Sequence, residues 1–289
     1  MTALVTVGAT GCAPPGSAAT DDGRIRIVAS TDVYGSIAES IGGDLVDVTS
    51  IIDDPAMDPH SYEADARVQL ALSRADLVIE NGGGYDDFMG VLLDGVSNSD
   101  ATVINVTDLS GYDRDTAFNE HLWYDFPTMV TLVDELVAEL AKRDAASEDA
   151  YRSAGDDLVN SLEGLMARES ALKSAHEGKG VAITEPVPLY LLEASGLVDR
   201  TPPGFSEAIE EGTDVAPAVL KETLDLFAGE AVSLLAYNEQ TIGPETEKVK
   251  AAASDAGIPV VAVAETLPEE GGYVDWMASI LVAVETALS

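Results

Sequence analysis

The stretch Glu148-Asp-Ala-Tyr-Arg-Ser-Ala-Gly-Asp-Asp-Leu-Val-Asn-Ser-Leu-Glu-Gly-Leu-Met-Ala-Arg-Glu-Ser-Ala-Leu-Lys-Ser174 decides how the rest of the chain is read. Tyr151, Leu158, Leu162, Leu165 and Leu172 recur at helical spacings with acidic and basic residues between them, which predicts one amphipathic helix. Twenty-seven residues at 1.5 Å each make a rod of about 40 Å. A rod of that length is a poor hinge and a good spine. The competing prediction is two helices broken near Gly155 or Gly164, because glycine weakens a helix interior.

On each side of the spine the pattern alternates between short β-rich runs and helical stretches. Upstream, strands are predicted at 24–30, 45–52, 76–80 and 101–106, with helices at 34–41, 64–74 and 86–96. Downstream, strands are predicted at 180–184, 231–237 and 258–264, with helices at 188–194, 216–227, 244–256 and 273–288. Apolar runs of that length separated by helices suggest parallel strands covered on both faces. The predicted fold class is therefore α/β: two lobes with parallel-rich sheets joined by one long rigid helix. The corresponding segments are a terminal tether at 1–23, a first lobe at 24–145, the spine at 146–177 and a second lobe at 178–289.

Composition excludes several functions. With 52 acidic residues against 15 basic, the formal charge is −37, the wrong sign for neutralising phosphates. A nucleic-acid partner is excluded, and adsorption to anionic lipid is disfavoured. The acidity is consistent with solubility, with salt adaptation, or with a field that attracts cations without specifying a site.

One cysteine, Cys12, makes an intrachain disulfide impossible. It ends a short apolar or small-residue run and precedes Ala-Pro-Pro-Gly-Ser-Ala-Ala-Thr-Asp-Asp-Gly, a tether composition. Ala9-Thr10-Gly11-Cys12 resembles a lipobox, with Ala9 where leucine usually stands. The resemblance implies cleavage before Cys12, acylation of its sulfur, and attachment outside the cytoplasm to the cell membrane through that lipid. A basic leader segment is missing from the short apolar run, which points to a start upstream of Met1. No later segment approaches the roughly 20 apolar residues of a membrane span.

Three histidines remain: His60, His121 and His176. His176 follows the spine in a polar context and reads as solvated. His60 and His121 both fall in strand-to-helix loops, where ligand sites of α/β lobes gather. Singly, each has a plainer reading as a capping or packing residue. Their surroundings change that. Asp58-Pro-His60-Ser-Tyr62-Glu63 resembles the Asp-Pro-His-x-Tyr-Glu motif of the metal-binding substrate-binding proteins of ABC transporters, the zinc/manganese receptor family. Asn119-Glu-His121-Leu-Trp123-Tyr-Asp125 is similar to that family's Asn-Pro-His-x-Trp-x-Asp motif, with Glu120 in place of proline.

The resemblance implies that His60 and His121 bind metal in a cleft between the lobes. It further implies that the second lobe supplies two more ligands, carried here by Glu185 and Glu265, the latter where aspartate is commoner. Two imidazoles and two carboxylates form a closed shell of charge −2, near neutral once a divalent ion is bound, as suits holding rather than turnover. Asp58, Tyr62 and Asp125 are candidates to fix the imidazole tautomers. Glu207, Glu210 and Glu211 form a rival acidic cluster in what reads as a loop able to fold over the cleft.

The implied cargo is Zn(II) or Mn(II), which the residues leave open. Oxygen donors suit manganese, whereas intrinsic affinity favours zinc. The implied partner is a membrane permease, and the implied state a monomer. Two other functions are weighed: a receptor for a metal chelate or organic ligand on the same frame, and a metal-dependent hydrolase. The sequence lacks His-Glu-x-x-His, Gly-x-Ser-x-Gly and the phosphate-binding Gly-x-x-x-x-Gly-Lys signature, which argues against an enzyme.

Overall fold

The computed structural model describes residues 23–54, 62, 66–114 and 118–289. Cys12, Asp58 and His60 lie outside these residues. The first half runs β1 (Ile25–Thr31), α1 (Asp32–Gly42), β2 (Val46–Ile52), α2 (Ala66–Leu72), β3 (Leu77–Glu80), α3 (Phe88–Gly95), β4 (Thr102–Asn105), α4 (Val106–Ser110) and α5 (Phe126–Arg143). The spine follows as α6 (Glu148–His176). The second half runs β5 (Gly180–Ile183), α7 (Leu189–Ala194), β6 (Val198–Asp199), α8 (Pro203–Glu210), α9 (Pro217–Ala228), β7 (Leu235–Asn238), α10 (Pro244–Asp255), β8 (Val260–Val263) and α11 (Tyr273–Ala287).

The two sheets have the same connectivity. Their orders are β2-β1-β3-β4 and β6-β5-β7-β8, with every pairing parallel. In each, the chain leaves the first strand for one edge and then returns past it to build the other side. That reversal between β1 and β3, and between β5 and β7, leaves a crevice at the carboxyl ends of the strands.

Strand alternation assigns the faces. Ile27 and Ala29 of β1 join one continuous core, while Val28 between them joins a separate cluster with Ile52, Leu72, Val78 and Met89. In β5, Val181 and Ile183 point into that same continuous core and Ala182 into a third cluster with Phe205, Phe227 and Leu235. Both faces of each sheet are thus covered, as parallel sheets require. The continuous core collects the inward faces of both sheets together with α5, α6 and α11.

The spine is one unbroken helix of 29 residues, about 43 Å at 1.5 Å per residue. Its buried face is Tyr151, Gly155, Leu158, Leu162, Leu165, Glu169 and Leu172, spaced alternately four and three residues apart. Gly155 does not break it. A Cβ there would stand 2.5 Å from Val137 Cγ2, so the missing side chain lets α5 approach closely. α6 packs on α1 and α5 from the first half and on α7 and α11 from the second, and Arg168 donates to both carboxylate oxygens of Glu285 on α11.

Hydrogen bonds stitch the halves along the crevice. Asp32 accepts from the Leu267 amide, Tyr124 donates to the Ala264 carbonyl at 3.0 Å and Tyr273 to the Trp123 carbonyl at 2.6 Å. A stiff rod plus these bonds disfavours wide hinge motion. Among the described residues no helix is long and apolar enough to cross a membrane.

Candidate metal centre

His121 stands where the chain enters a 3₁₀ turn, Leu122–Tyr124, ahead of α5. It is fully buried, with its ring edge-on to Trp123 and Tyr85 at centroid distances of 5.2 and 5.9 Å. Its Nδ1 lies 2.7 Å from Asn119 Oδ1. The orientation of that amide is set by its other end, because Asn119 Nδ2 donates to the Pro186 carbonyl at 3.0 Å. An amide oxygen only accepts, so Nδ1 carries a proton and Nε2 is the ring nitrogen left to meet a ligand. The Nε2 atom faces Glu210 Oε1 at 3.5 Å.

Besides Glu210, the second half brings Glu185 within reach of the charges of Glu210 and Glu265. Glu185 follows β5 by two residues and Glu265 follows β8 by two, each at the carboxyl end of its strand. Both are about 95% buried, with exposures of 4% and 5%. Asn238, at the end of β7, donates to Glu265 Oε1 at 2.9 Å, and burial followed by the charge of Glu265 holds the Tyr85 hydroxyl of the first half well above its usual pKa. Glu185 Oε2 is buried and has no hydrogen-bond partner among the described residues. Burial, and then the charges of Glu210 and Glu265, push the Glu185 carboxyl up to about 8; hydrogen bonds from Thr241 and Asn238 offset this only in part.

Such carboxylates are costly without a cation, since burial removes their hydration and like charges repel, and the hydrogen bonds from Asn238 and Thr241 offset only part of that. Among the described residues no set of three or more His, Cys, Asp or Glu side chains is already gathered at metal-holding distances.

The other expected positions fall differently. Asp125 does not reach the imidazole: its Oδ2 accepts from the Thr128 amide at 3.1 Å and caps α5, and Tyr112 donates to its Oδ1 at 3.2 Å. Tyr62 stacks at a tilt on Phe88, 4.8 Å between centroids. The group that fixes the His121 tautomer is Asn119, two residues upstream. Its signal was available, since asparagine side chains bond to groups two residues on. Glu210 belongs to a helix, α8, where a loop was expected.

Asn119→Leu is expected to weaken metal binding about 10- to 100-fold, the usual cost of losing a group that orients a ligand. Asn119→Asp, which keeps the acceptor, should lose less. Titration calorimetry of both variants with Mn(II) checks this, and equal losses would contradict the assigned role.

The family model described as zinc-uptake complex component A, periplasmic, matches residues 27–287. The manganese-binding lipoprotein MntA of Bacillus subtilis is 28% identical over 167 residues, 56% of this chain and 54% of that protein, so the match spans about half of its length. MntA of Halalkalibacterium halodurans is 25% identical over 222 residues, covering 75% and 72%. The manganese ABC transporter substrate-binding lipoprotein PsaA of Streptococcus anginosus is 23% identical over 275 residues, covering 90% and 86%. Among solved structures, FpvC of Pseudomonas aeruginosa in complex with Mn2+ superposes with a TM-score of 0.74 at 23% identity, covering 92% of this chain and 98% of that one. A structure titled ZnuA gives 0.73 at 20% identity, covering 91% and 98%. At those identities the structures establish the fold.

Proposed function

The chain belongs to the zinc-uptake complex component A family, and from this premise we propose that it is the extracytoplasmic substrate-binding protein of an ABC importer. It captures one divalent transition-metal ion, Zn2+ or Mn2+, in the crevice between its halves and delivers it to a membrane permease. It performs no chemistry on the ion. The ligands of this reading are His60 and His121 from the first half and Glu185 and Glu265 from the second. The functional division follows the fold: lobes at 24–145 and 178–289 around a spine at 146–177. Cys12, on its tether, carries the lipid that holds the monomeric protein to the outer face of the cell membrane.

The observation that carries this reading is a buried imidazole whose Nε2 faces a carboxylate of the other half, beside Glu185 with a buried oxygen left for a ligand. Four donors closed by protein suit holding and release, because an enzyme's metal keeps a position open for water or substrate. The stiff spine fits small tilts of the lobes around the ion, with loop adjustment, instead of wide closure.

The test is a metal titration of the purified protein by calorimetry and thermal melting. A single site binding only the folded state should stabilise by about 4 kcal/mol at a thousandfold excess over Kd, which for a chain of this size is roughly 10 °C in Tm. A protein that takes up neither Zn(II) nor Mn(II) at one equivalent would overturn the proposal.

A further inference from the structure

We propose that the cavity between the 112–119 segment of the first half and α7 of the second binds a guanidinium group carried on an apolar stem. The inference goes beyond the metal-receptor reading and does not depend on it, because His121, Glu185 and Glu265 do not line this cavity.

The cavity has a volume of about 360 Å³, at the small end of the range for small-molecule sites. Tyr112, Asp113 and Phe118 line it from the first half, and Tyr190 and Glu193 from the second. Its aromatic wall is held in place. The rings of Tyr112 and Tyr190 stack with 5.3 Å between centroids and 30° between planes. Tyr112 donates to Asp125 Oδ1 at 3.2 Å and Tyr190 to the Asn119 carbonyl at 2.7 Å. A ring whose hydroxyl is already tied loses little freedom when a ligand arrives. Tyr112 nevertheless stays 44% exposed, so the stack leaves aromatic surface open.

The same cavity carries two carboxylates that the chain does not neutralise. Asp113 and Glu193 are exposed, and Arg114, next to Asp113, is engaged with Asp108 instead. All 15 Lys and Arg residues of the chain lie among the described residues, and none of them pairs with Asp113 or Glu193. Partial burial, and then the charge of Asp199, raise the Glu193 carboxyl above its ordinary range, a cost that a cation brought from outside relieves. The chemistry of the lining selects among cations. A guanidinium is planar and weakly hydrated, so it stacks on an aromatic ring while its edge donates to carboxylates. An inorganic cation gains little from the rings, and a neutral aromatic gains nothing from the charges.

The experiment titrates the protein by calorimetry with agmatine, with N-acetylarginine amide and with N-acetylcitrulline amide, which puts an uncharged urea in place of the guanidinium. Wild type is expected to bind a guanidinium compound at one equivalent, and the citrulline compound about tenfold more weakly or not at all. Binding of agmatine alone assigns the site to a free solute; binding of the acetylated amide assigns it to an arginine within a chain. Glu193→Gln should weaken binding about tenfold, the cost of one charge-assisted hydrogen bond. Tyr112→Leu should weaken it about 2- to 5-fold, the worth of an exposed cation–π contact, while Tyr112→Phe keeps the ring and most of the affinity. Titration of Glu193→Gln with Mn(II) should match wild type. Failure of wild type to bind either guanidinium compound overturns the proposal, as does equal binding of the citrulline compound. Loss on Glu193→Gln with none on Tyr112→Leu also overturns it, as the mark of general attraction to a chain of charge −37.

Discussion

His121→Ala lowers metal affinity on the order of several hundredfold and abolishes the metal-dependent rise in Tm. The size follows from dividing the roughly 10–16 kcal/mol of a four-ligand site among its donors, each 1.4 kcal/mol being tenfold. The loss is specific to this ring. Its Nδ1 is committed to Asn119, so the variant removes one lone pair aimed into the crevice and leaves the other donors where they were. The fold should survive, because the surrounding contacts come from Trp123, Tyr85 and the capped α5, none of which depends on the imidazole for its own position. Truncating a buried ring of this size costs about 2–4 kcal/mol, enough to lower the metal-free Tm without unfolding the protein at room temperature. His176→Ala is the control: that residue ends the spine helix and is not one of the ligands, so its replacement should leave both metal affinity and the metal-dependent Tm shift unchanged. Full-affinity, stoichiometric binding by His121→Ala, measured by calorimetry, would mean that the ion is held elsewhere.

The architecture was legible because its signals are periodic. The four-and-three spacing of Tyr151, Leu158, Leu162, Leu165 and Leu172 specifies a helix regardless of what it packs against, and the apolar runs of β1, β3, β5 and β8 specify buried parallel strands. What the pattern could not supply was whether a glycine weakens a helix or fits one. Gly155 reads as a possible break, and only the approach of Val137 shows it to be a contact. The predicted strand at 231–237 begins four residues before β7 does at Leu235, although the bonding to β5 already starts upstream, with the Ser233 amide donating to the Gly180 carbonyl and the Leu234 carbonyl accepting from the Ala182 amide. The missed helix α8 had a marker in Pro203, since proline is favoured in a first turn.

The site was readable in the same uneven way. Glu185 and Glu265 were placed by the resemblance, one after the first strand of the second lobe and one after the last, and both stand two residues beyond the ends of β5 and β8. Asp125 is one of three residues that the sequence offers as candidates to fix the imidazole tautomers. Asp125-Phe-Pro-Thr128 is equally a helix start, and the backbone amides of α5 take the carboxylate. Glu210 was one of three equivalent acids in the sequence. Which of them turns inward depends on the rotation of a helix whose existence had to be known first.

Glu185→Gln should move stability and function in opposite directions, which separates a ligand from a structural carboxylate. With its pKa raised from 4.5 to about 8 in the folded protein, Glu185 keeps its proton between those values while the unfolded chain has lost it. The native state then binds more protons than the unfolded state, so stability falls as pH rises through that window: the contribution is fully present below about pH 4.5 and gone above about pH 8. At roughly 1.4 kcal/mol per pH unit, this one group costs the metal-free protein several kcal/mol at the upper end, an upper bound since repulsion can be relieved by small movements. A neutral amide of the same shape removes that slope. The metal-free variant should therefore melt several degrees higher than wild type at pH 8, with little difference at pH 5. Its metal affinity at pH 8 should be lower on the order of a hundredfold, for the same reason: the ionised carboxylate that destabilises the empty site is what the cation binds. In wild type, metal binding must expel the Glu185 proton, so affinity should climb as pH approaches 8, and in Glu185→Gln that part of the climb should vanish. Melting curves and calorimetry at pH 5 and pH 8, with and without Mn(II), give all four comparisons. A variant that is less stable than wild type at pH 8 would show that Glu185 serves the fold, while one that keeps wild-type affinity would remove it from the ligand set.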